Sequence, residues 1–498
     1  MSCMATSESP VSERPAAAQS AISGLREAGL DAVLYLPGSE PYEARIASYW
    51  SLSPQLERPW AIVQPRTSEE VSTALKVLVG VPGCCFAIRS GGHLSWPGAN
   101  SIESGITIDM GLMNKTTYNP DTNVASLEPG GRWMDVYTTI EKEGVMVAGG
   151  REGLVGVGGF LLGGGISYYS CRVGMACDQV INYEVVLADG SIVDANENTN
   201  QDLFRVLKGG GNNFGIITRF DMMAFPAHDV WYGSIIHHIN ETDAVIDALV
   251  KFTNTLDVAR NPEAHYLTIW THSPETEDIS IASNLTHLDG VPNHDSLKDI
   301  LAIPGRRTLR KRSMATKVVE SLTPSNKYDV WLTINFRNDA HIARKCIDVL
   351  LDLVEHIKTE NIPDNNFVAF SVLQPLPRSF ARHSAARGGN VLGIDRIQDN
   401  AIILMTAIEV ETWELAQAIL PKFKAGIDEI EAYAASLDGA VEFIYGNYCD
   451  GTQDPIATYG EGNIKKMTEA AKKYDPTGVF QTRMPGGFKI SKVSERSD

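Results

Sequence analysis

Four glycine clusters carry the first chemical signal in this 498-residue chain. They are Ser90-Gly91-Gly92-His93, Gly149-Gly150, the run from Val155-Gly156-Val157-Gly158-Gly159 to Gly163-Gly164-Gly165, and Gly209-Gly210-Gly211-Asn212-Asn213. Without a Cβ, glycine lets backbone N–H groups approach a ligand closely and adopt positive φ, which is how a pyrophosphate is cradled. A single pair reads as a tight turn. Four clusters, each beside an apolar strand-like run, read as the lining of one ligand site. His93 closes the first of them, and a neutral imidazole is a competent nucleophile near pH 7.

The common nucleotide and hydrolase signatures fail. Leu161 stands where the dinucleotide fingerprint begun at Gly156-Val157-Gly158 requires its third glycine. No Gly-Lys-Ser/Thr loop, H-E-x-x-H or G-x-S-x-G is present, which disfavours Rossmann dehydrogenases, P-loop NTPases, zincins and serine hydrolases. Seven cysteines without C-x-x-C spacing suit reduced, mostly buried thiols, so no disulfide framework and no metal site is expected. His237-His238, the only adjacent histidines, read as strand residues.

A formal net charge of −18, with no run of Lys or Arg seen to offset it, repels phosphate backbones and anionic bilayers, so neither nucleic acid nor membrane is an expected partner. No apolar stretch reaches the roughly 18 residues of a membrane span. Met1 to Ser20 is rich in Ser, Ala and Pro and lacks a signal-peptide pattern, so a cytoplasmic location is expected. Sequons at Asn114, Asn240 and Asn284 decide nothing without such a signal.

Strands and helices must position the clusters. Ala61–Gln64 reads as a strand, and Thr67-Ser68-Glu69-Glu70 as a capping box opening a helix with Val71, Ala74, Leu75 and Leu78 inward. Cys85–Arg89 is a buried strand that runs straight into Ser90-Gly91-Gly92-His93. Further strands are expected at Ile106–Asp109, Val124–Glu128, Tyr183–Leu187 and Ile192–Ala195, the last two joined through Asp189-Gly190. After Phe225-Pro226 strand-like runs (Tyr266–Thr271, Val330–Asn335, Phe367–Val372, Ala401–Glu409) alternate with amphipathic helices (Asp243–Asn254, His341–Thr359, Leu415–Ser436). The class is α+β, the second part built on a mostly antiparallel sheet flanked by helices.

The segment Arg89-Ser90-Gly91-Gly92-His93 resembles the covalent-flavin motif of FAD-linked oxidases of the vanillyl-alcohol oxidase superfamily, which share the PCMH-type FAD-binding fold. The nearest subgroup is the berberine-bridge-enzyme-like one, in the style of its fungal secondary-metabolism members. The resemblance continues through Leu127-Glu128-Pro129-Gly130-Gly131-Arg132-Trp133, Gly149-Gly150-Arg151, the Gly156–Gly165 run, Gly174-Met175-Ala176-Cys177-Asp178 and Leu207-Lys208-Gly209 to Gly215. It returns at Tyr445-Gly446-Asn447-Tyr448 and at Tyr474-Asp475-Pro476 with Val479-Phe480. Leu94 departs from the Ser or Thr common after the motif histidine.

The resemblance implies an N-terminal extension over 1–55 with a partly disordered start, a two-part FAD-binding domain over 56–227, a substrate domain over 228–441 and a returning segment over 442–490. It implies FAD bonded through its 8α-methyl to His93. Arg89, Ser90, Gly91, Gly92, Arg151, Val155, Gly156, Gly158, Gly159, Gly163, Gly165, Ile217 and Asn447 would contact the cofactor, with Ile217 at the adenine or ribose. Some relatives add a cysteinyl link; that position falls on Glu152 here, so a single link is expected. Tyr448 is the implied base and Tyr445 the second choice, on a shared strand face with Asn447; an unperturbed phenol, pKa about 10, needs neighbours that stabilise its phenolate. The implied reaction is hydride transfer from a small organic substrate, with O2 reduced to hydrogen peroxide. The alternative is an FAD-containing cyclase or pericyclase with no net oxidation.

Overall fold

Three larger sheets, and a two-stranded pair of Val145–Met146 with Phe225–Pro226, organise the described residues, and the pattern of apolar residues explains the larger ones. The computed structural model describes residues 15–256, 261–276, 279–323, 325–362 and 366–494. In the first sheet the strands Ala61–Val63, Gly105–Asp109 and Cys85–Arg89 lie parallel in that order, with Leu34–Tyr35 antiparallel at the edge. Their short unbroken apolar runs suit strands covered on both faces. Helix Ser68–Gly80 crosses between two of them; Thr67 Oγ1 accepts from Glu70 N–H at 3.2 Å, as the capping pattern requires.

The second sheet is antiparallel, in the order Thr116–Asn119, Val124–Leu127, Ile216–Met223, Val180–Val186, Ile192–Asn196. Val186 pairs with Ile192 across the Asp189-Gly190 turn, where Gly190 has φ +78°. The third sheet has eight antiparallel strands in the order Arg306–Ser313, Asp229–His237, Ser280–His287, Ala264–His272, Val368–Leu376, Ala401–Val410, Tyr328–Arg337, Ala440–Val441. Helices Thr242–Thr255, Ala340–His356 and Trp413–Ser436 cover one face. Period two then sorts the side chains. Tyr266 and Trp270 pack toward the helices, Tyr266 against Phe252 at 5.5 Å, which leaves His265, Leu267 and Ile269 on the face turned to the glycine-rich half.

Three expectations change. Residues 15–55 are not a separate extension: Leu34–Tyr35 completes the first sheet, and Ala21, Ile22 and Leu25 of helix Ala16–Glu27 are buried in its core. Amphipathic spacing there is enough to dock the segment. The start of the chain, including Cys3, lies outside the described residues; the six described cysteines are buried. A basic run does exist, since the exposed edge strand Arg306–Ser313 carries Arg306, Arg307, Arg310, Lys311 and Arg312. Charges on an edge strand oppose pairing with another chain. Finally, Gly446–Tyr448 is a tight 3-10 turn rather than a strand. His237 ends its strand as expected, its Nδ1 bonded to Pro304 O at 2.7 Å.

A buried ion cluster ties the first sheet to residues 45–49. Asp109 accepts from Arg45 at 2.8 Å, Gln64 at 2.9 Å and Gly111 N–H at 2.8 Å, with Arg89 at 3.4 Å. The chain end returns to the same core: Phe86 N–H donates to Arg483 O at 2.8 Å, and Asp475 holds the N–H groups of Val479 and Phe480 at 2.8 and 2.7 Å.

Asp329 opens a strand of the third sheet opposite Glu409. Burial, then the Glu409 charge, pushes its carboxyl up to about 8. Between the ordinary carboxylate range and that value, the folded chain holds a proton that the unfolded chain has released, so stability falls as pH rises through this window. Asp329→Asn should therefore raise the melting temperature more at about pH 8 than at about pH 5, measured by thermal unfolding. Equal shifts at both values would contradict the assignment.

Candidate active site

The strand Cys85–Arg89 delivers Ser90–His93 to the start of the long glycine run, and the two segments touch through backbone. A Cβ on Gly91 would lie 2.5 Å from Gly156 Cα. Ser90 Oγ donates to Pro129 O and accepts from Gly158 N–H at 3.1 Å, which fixes the spacing of the two loops. Among the described residues none accepts from the backbone N–H of Gly91 or Gly92, and a Cβ on Gly159 would meet open space. The result is a cradle lined by backbone. Arg89 lies beneath it, its guanidinium bonded to Arg45 O and Ser48 Oγ and 3.6 Å from the Tyr49 ring centre. Its side chain supports the turn rather than lining the cradle.

His93 stands at the rim. The residue is partly exposed, but its Nδ1 is buried and has no hydrogen-bond partner. Trp50 packs on the ring with centroids 4.7 Å apart, held by its own N–H on Gly92 O at 3.1 Å and its indole N–H on Thr323 O at 2.6 Å. Desolvation, and then the Arg132 charge, pushes the imidazole down to about 3, so it is neutral at physiological pH. A neutral ring with one unpartnered buried nitrogen, beside the backbone cradle, fits bound FAD. Glu152 shapes the turn entering the run, its carboxylate accepting from the N–H groups of Leu154 (2.7 Å), Val155 (3.0 Å) and Thr323 (3.0 Å).

The turn Gly446–Tyr448 meets the other side of the run. Tyr445 is 2% exposed, and its hydroxyl accepts from Ile166 N–H and Asn447 Nδ2, both at 3.0 Å. Burial pushes that phenol up. Its geometry is that of a post holding Asn447, not of a group open to substrate. Asn447 Nδ2 also donates to Phe160 O at 3.2 Å, and its side chain fills the space where Gly163 would carry a Cβ. Gly165, at φ +77°, turns the chain after the run. Gly163→Ala should displace Asn447 and lower the FAD content of purified protein; unchanged flavin-to-protein absorbance would contradict this contact.

Tyr448 points the other way, to the sheet. Its hydroxyl accepts from Arg151 Nη2 at 2.6 Å and donates to Gln374 Oε1 at 3.3 Å. Arg151 Nη1 is 3.1 Å from His265 Nε2. Burial, Arg151 and Lys317 hold His265 well below its ordinary value, so Nε2 accepts and the ring proton sits on Nδ1. Around this polar string lies an apolar wall of Leu267, Ile269, Phe370, Val372, Met405, Ala407 and Trp331. Cross-strand register aligns it: Ile269 faces Val372, Val372 faces Met405, and Trp331 faces Ala407.

Of the sequence-predicted residues, Ser90 and Gly91 meet Gly156 and Gly158, Asn447 meets Gly163, and Tyr448 meets Arg151, with His93, Gly92, Val155, Gly159 and Gly165 on the same segments. Ile217 is placed apart, buried in the strand Ile216–Met223. Trp50, His265, Trp331 and Gln374 were not foreseen. The one available signal was Gln374, a polar residue on an otherwise apolar strand face.

Known proteins are similar to this chain in sequence and in fold. A family model described as FAD binding domain matches residues 59–196. The chain is 38% identical over 479 residues to an FAD-dependent monooxygenase of Aspergillus calidoustus, covering 95% of this chain and 90% of that protein. It is 36% identical over 468 residues to another from Emericella nidulans, covering 92% and 95%. In fold it is similar to BBE-like 1 of Physcomitrella patens, with TM-score 0.75, 18% identity and coverage of 93% and 98%. A xylooligosaccharide oxidase from Myceliophthora thermophila gives TM-score 0.72 at 19% identity, covering 94% and 99%.

Proposed function

Because the chain belongs to the FAD-linked oxidoreductase family, we propose that it carries FAD on His93 through a single covalent link and oxidises a small organic molecule, with Tyr448 as base. The observation that supports this reading is a pair of groups joined through the packed rings of Trp50 and Trp331. One is a neutral histidine with an unpartnered buried nitrogen; the other is a tyrosine hydroxyl held by a guanidinium.

Bound FAD would supply two-electron acceptance, taking hydride from a substrate carbon and passing the electrons to O2, which leaves as hydrogen peroxide. Ser90–Gly92 and Gly156–Gly159 would hold its diphosphate, Ile217 would pack at the adenine or ribose, and Asn447 would hold the ring or ribityl side. Arg89, Val155, Gly163 and Gly165 shape the backbone that makes those contacts. Tyr448 takes the acidic substrate proton at Oη. That transfer needs Tyr448 in its phenolate form, whose charge Arg151 would stabilise beforehand, and His265 fixes the guanidinium from behind. The apolar wall orients the substrate and excludes water.

Among the described residues no helix is long and apolar enough to cross a membrane. The substrate is a secondary metabolite. The relatives' names favour one second reading, insertion of an oxygen atom into product. Turnover under isotopically labelled O2 separates the two: one peroxide per product and no label in product supports the oxidase, and label in product without peroxide overturns it.

A further inference from the structure

Gln374 is 1% exposed, yet its Nε2 has no partner. The hydrogen-bond network fixes how that amide is turned. In the resting phenol form of Tyr448, Arg151 donates to Oη, so the phenolic hydrogen goes to the remaining acceptor, Gln374 Oε1, 3.3 Å away. Nε2 is then a donor held alongside the proposed base with nothing to bind, on the strand face it shares with Phe370 and Val372. Leaving a buried amide N–H unpaired costs about 1–3 kcal/mol, which a ligand oxygen placed there would recover. Trp331 adds a second buried N–H without a partner on the same face.

The rest of that face narrows the ligand further. From Leu267 and Ile269 across Phe370 and Val372 to Met405, Ala407 and Trp331 the wall is apolar, and the buried pair Asp329 and Glu409 follows on the same face beyond Trp331 and Ala407. A saccharide would set its hydroxyls against this wall and leave them unsatisfied. A flat conjugated ring would not.

On the reading of Tyr448 as base, we infer that the substrate is a flat conjugated molecule whose acidic hydroxyl stands next to a carbonyl oxygen, and that Gln374 recognises the carbonyl. The hydroxyl meets Tyr448 Oη, the carbonyl accepts from Gln374 Nε2, and the ring lies on the apolar wall. Gln374 sets specificity by reading a neighbouring oxygen that Tyr448 alone would not distinguish.

The test is calorimetric titration of the oxidised holoenzyme with ortho-hydroxyacetophenone, phenol and cellobiose. Wild type should bind the hydroxyketone about tenfold more tightly than phenol, the upper end for one neutral hydrogen bond, and cellobiose more weakly than either. Gln374→Glu keeps an acceptor for Tyr448 and puts a carboxylate oxygen, which repels a ligand carbonyl, in place of the N–H donor, so the preference should fall to about twofold or less; Gln374→Leu, which removes the donor without adding charge, should do the same. Equal affinity for hydroxyketone and phenol in wild type, a preference that survives both substitutions, or tighter binding of cellobiose would each overturn the proposal. These are equilibrium constants, whereas the role of Tyr448 is read from the rate of flavin reduction, so failure of one does not mimic failure of the other.

Discussion

Tyr448→Phe is expected to slow substrate-driven flavin reduction about 10²–10⁴-fold, the range for loss of a positioned general base, while the cofactor stays attached. The substitution removes one oxygen and leaves the ring where it packs, 6.4 Å from Trp331 and 4.9 Å from Tyr445. Arg151 then loses one acceptor but keeps His265. The variant should also lose the limb of the rate–pH profile that belongs to the base, which a merely structural tyrosine would not remove. Anaerobic stopped-flow across pH measures both. A reduction rate within about threefold of wild type would take Tyr448 out of the base role.

His93→Ala should abolish covalent attachment altogether. Glu152, just before the glycine run, offers no thiol and its carboxylate is bonded to three backbone N–H groups, so it cannot replace the lost tether. The cradle of Ser90–Gly92 and Gly156–Gly159 remains, and the variant should still take up FAD reversibly, then release it on denaturation. Because burial holds the imidazole neutral down to about 3, attachment in wild-type protein should proceed at about pH 5 as it does at about pH 8. A sharp loss of attachment near the ordinary histidine range would contradict a desolvated His93. Flavin retained on denatured His93→Ala protein would show that another residue carries the bond.

The sequence made visible those parts of the molecule that are set by near neighbours along the chain. Asp189-Gly190 marks its hairpin because the turn needs positive φ, and the capping residue Thr67 marks its helix because the bond is local. The glycine clusters were legible for the same reason, since close approach of Gly91 to Gly156 excludes any Cβ. What was not legible depends on tertiary placement. Arg151 and Tyr448 lie 297 positions apart, and His265 lies 114 from Arg151; no spacing rule joins them. Asn447 and Tyr445 were placed on one strand face, whereas the turn at Gly446 sends Tyr445 into the core and Tyr448 to the sheet. Arg89 belonged to the right motif, but the buried carboxylate of Asp109 and the 45–49 segment draw its side chain beneath the cradle.

Acid precipitation of the purified holoenzyme, followed by absorbance of the washed pellet, bears most directly on the claim that His93 holds FAD. A yellow pellet from wild type and a colourless one from His93→Ala, with the flavin mass found once on the peptide that contains His93, is the expected result. A colourless wild-type pellet with all of its flavin in the supernatant would contradict it.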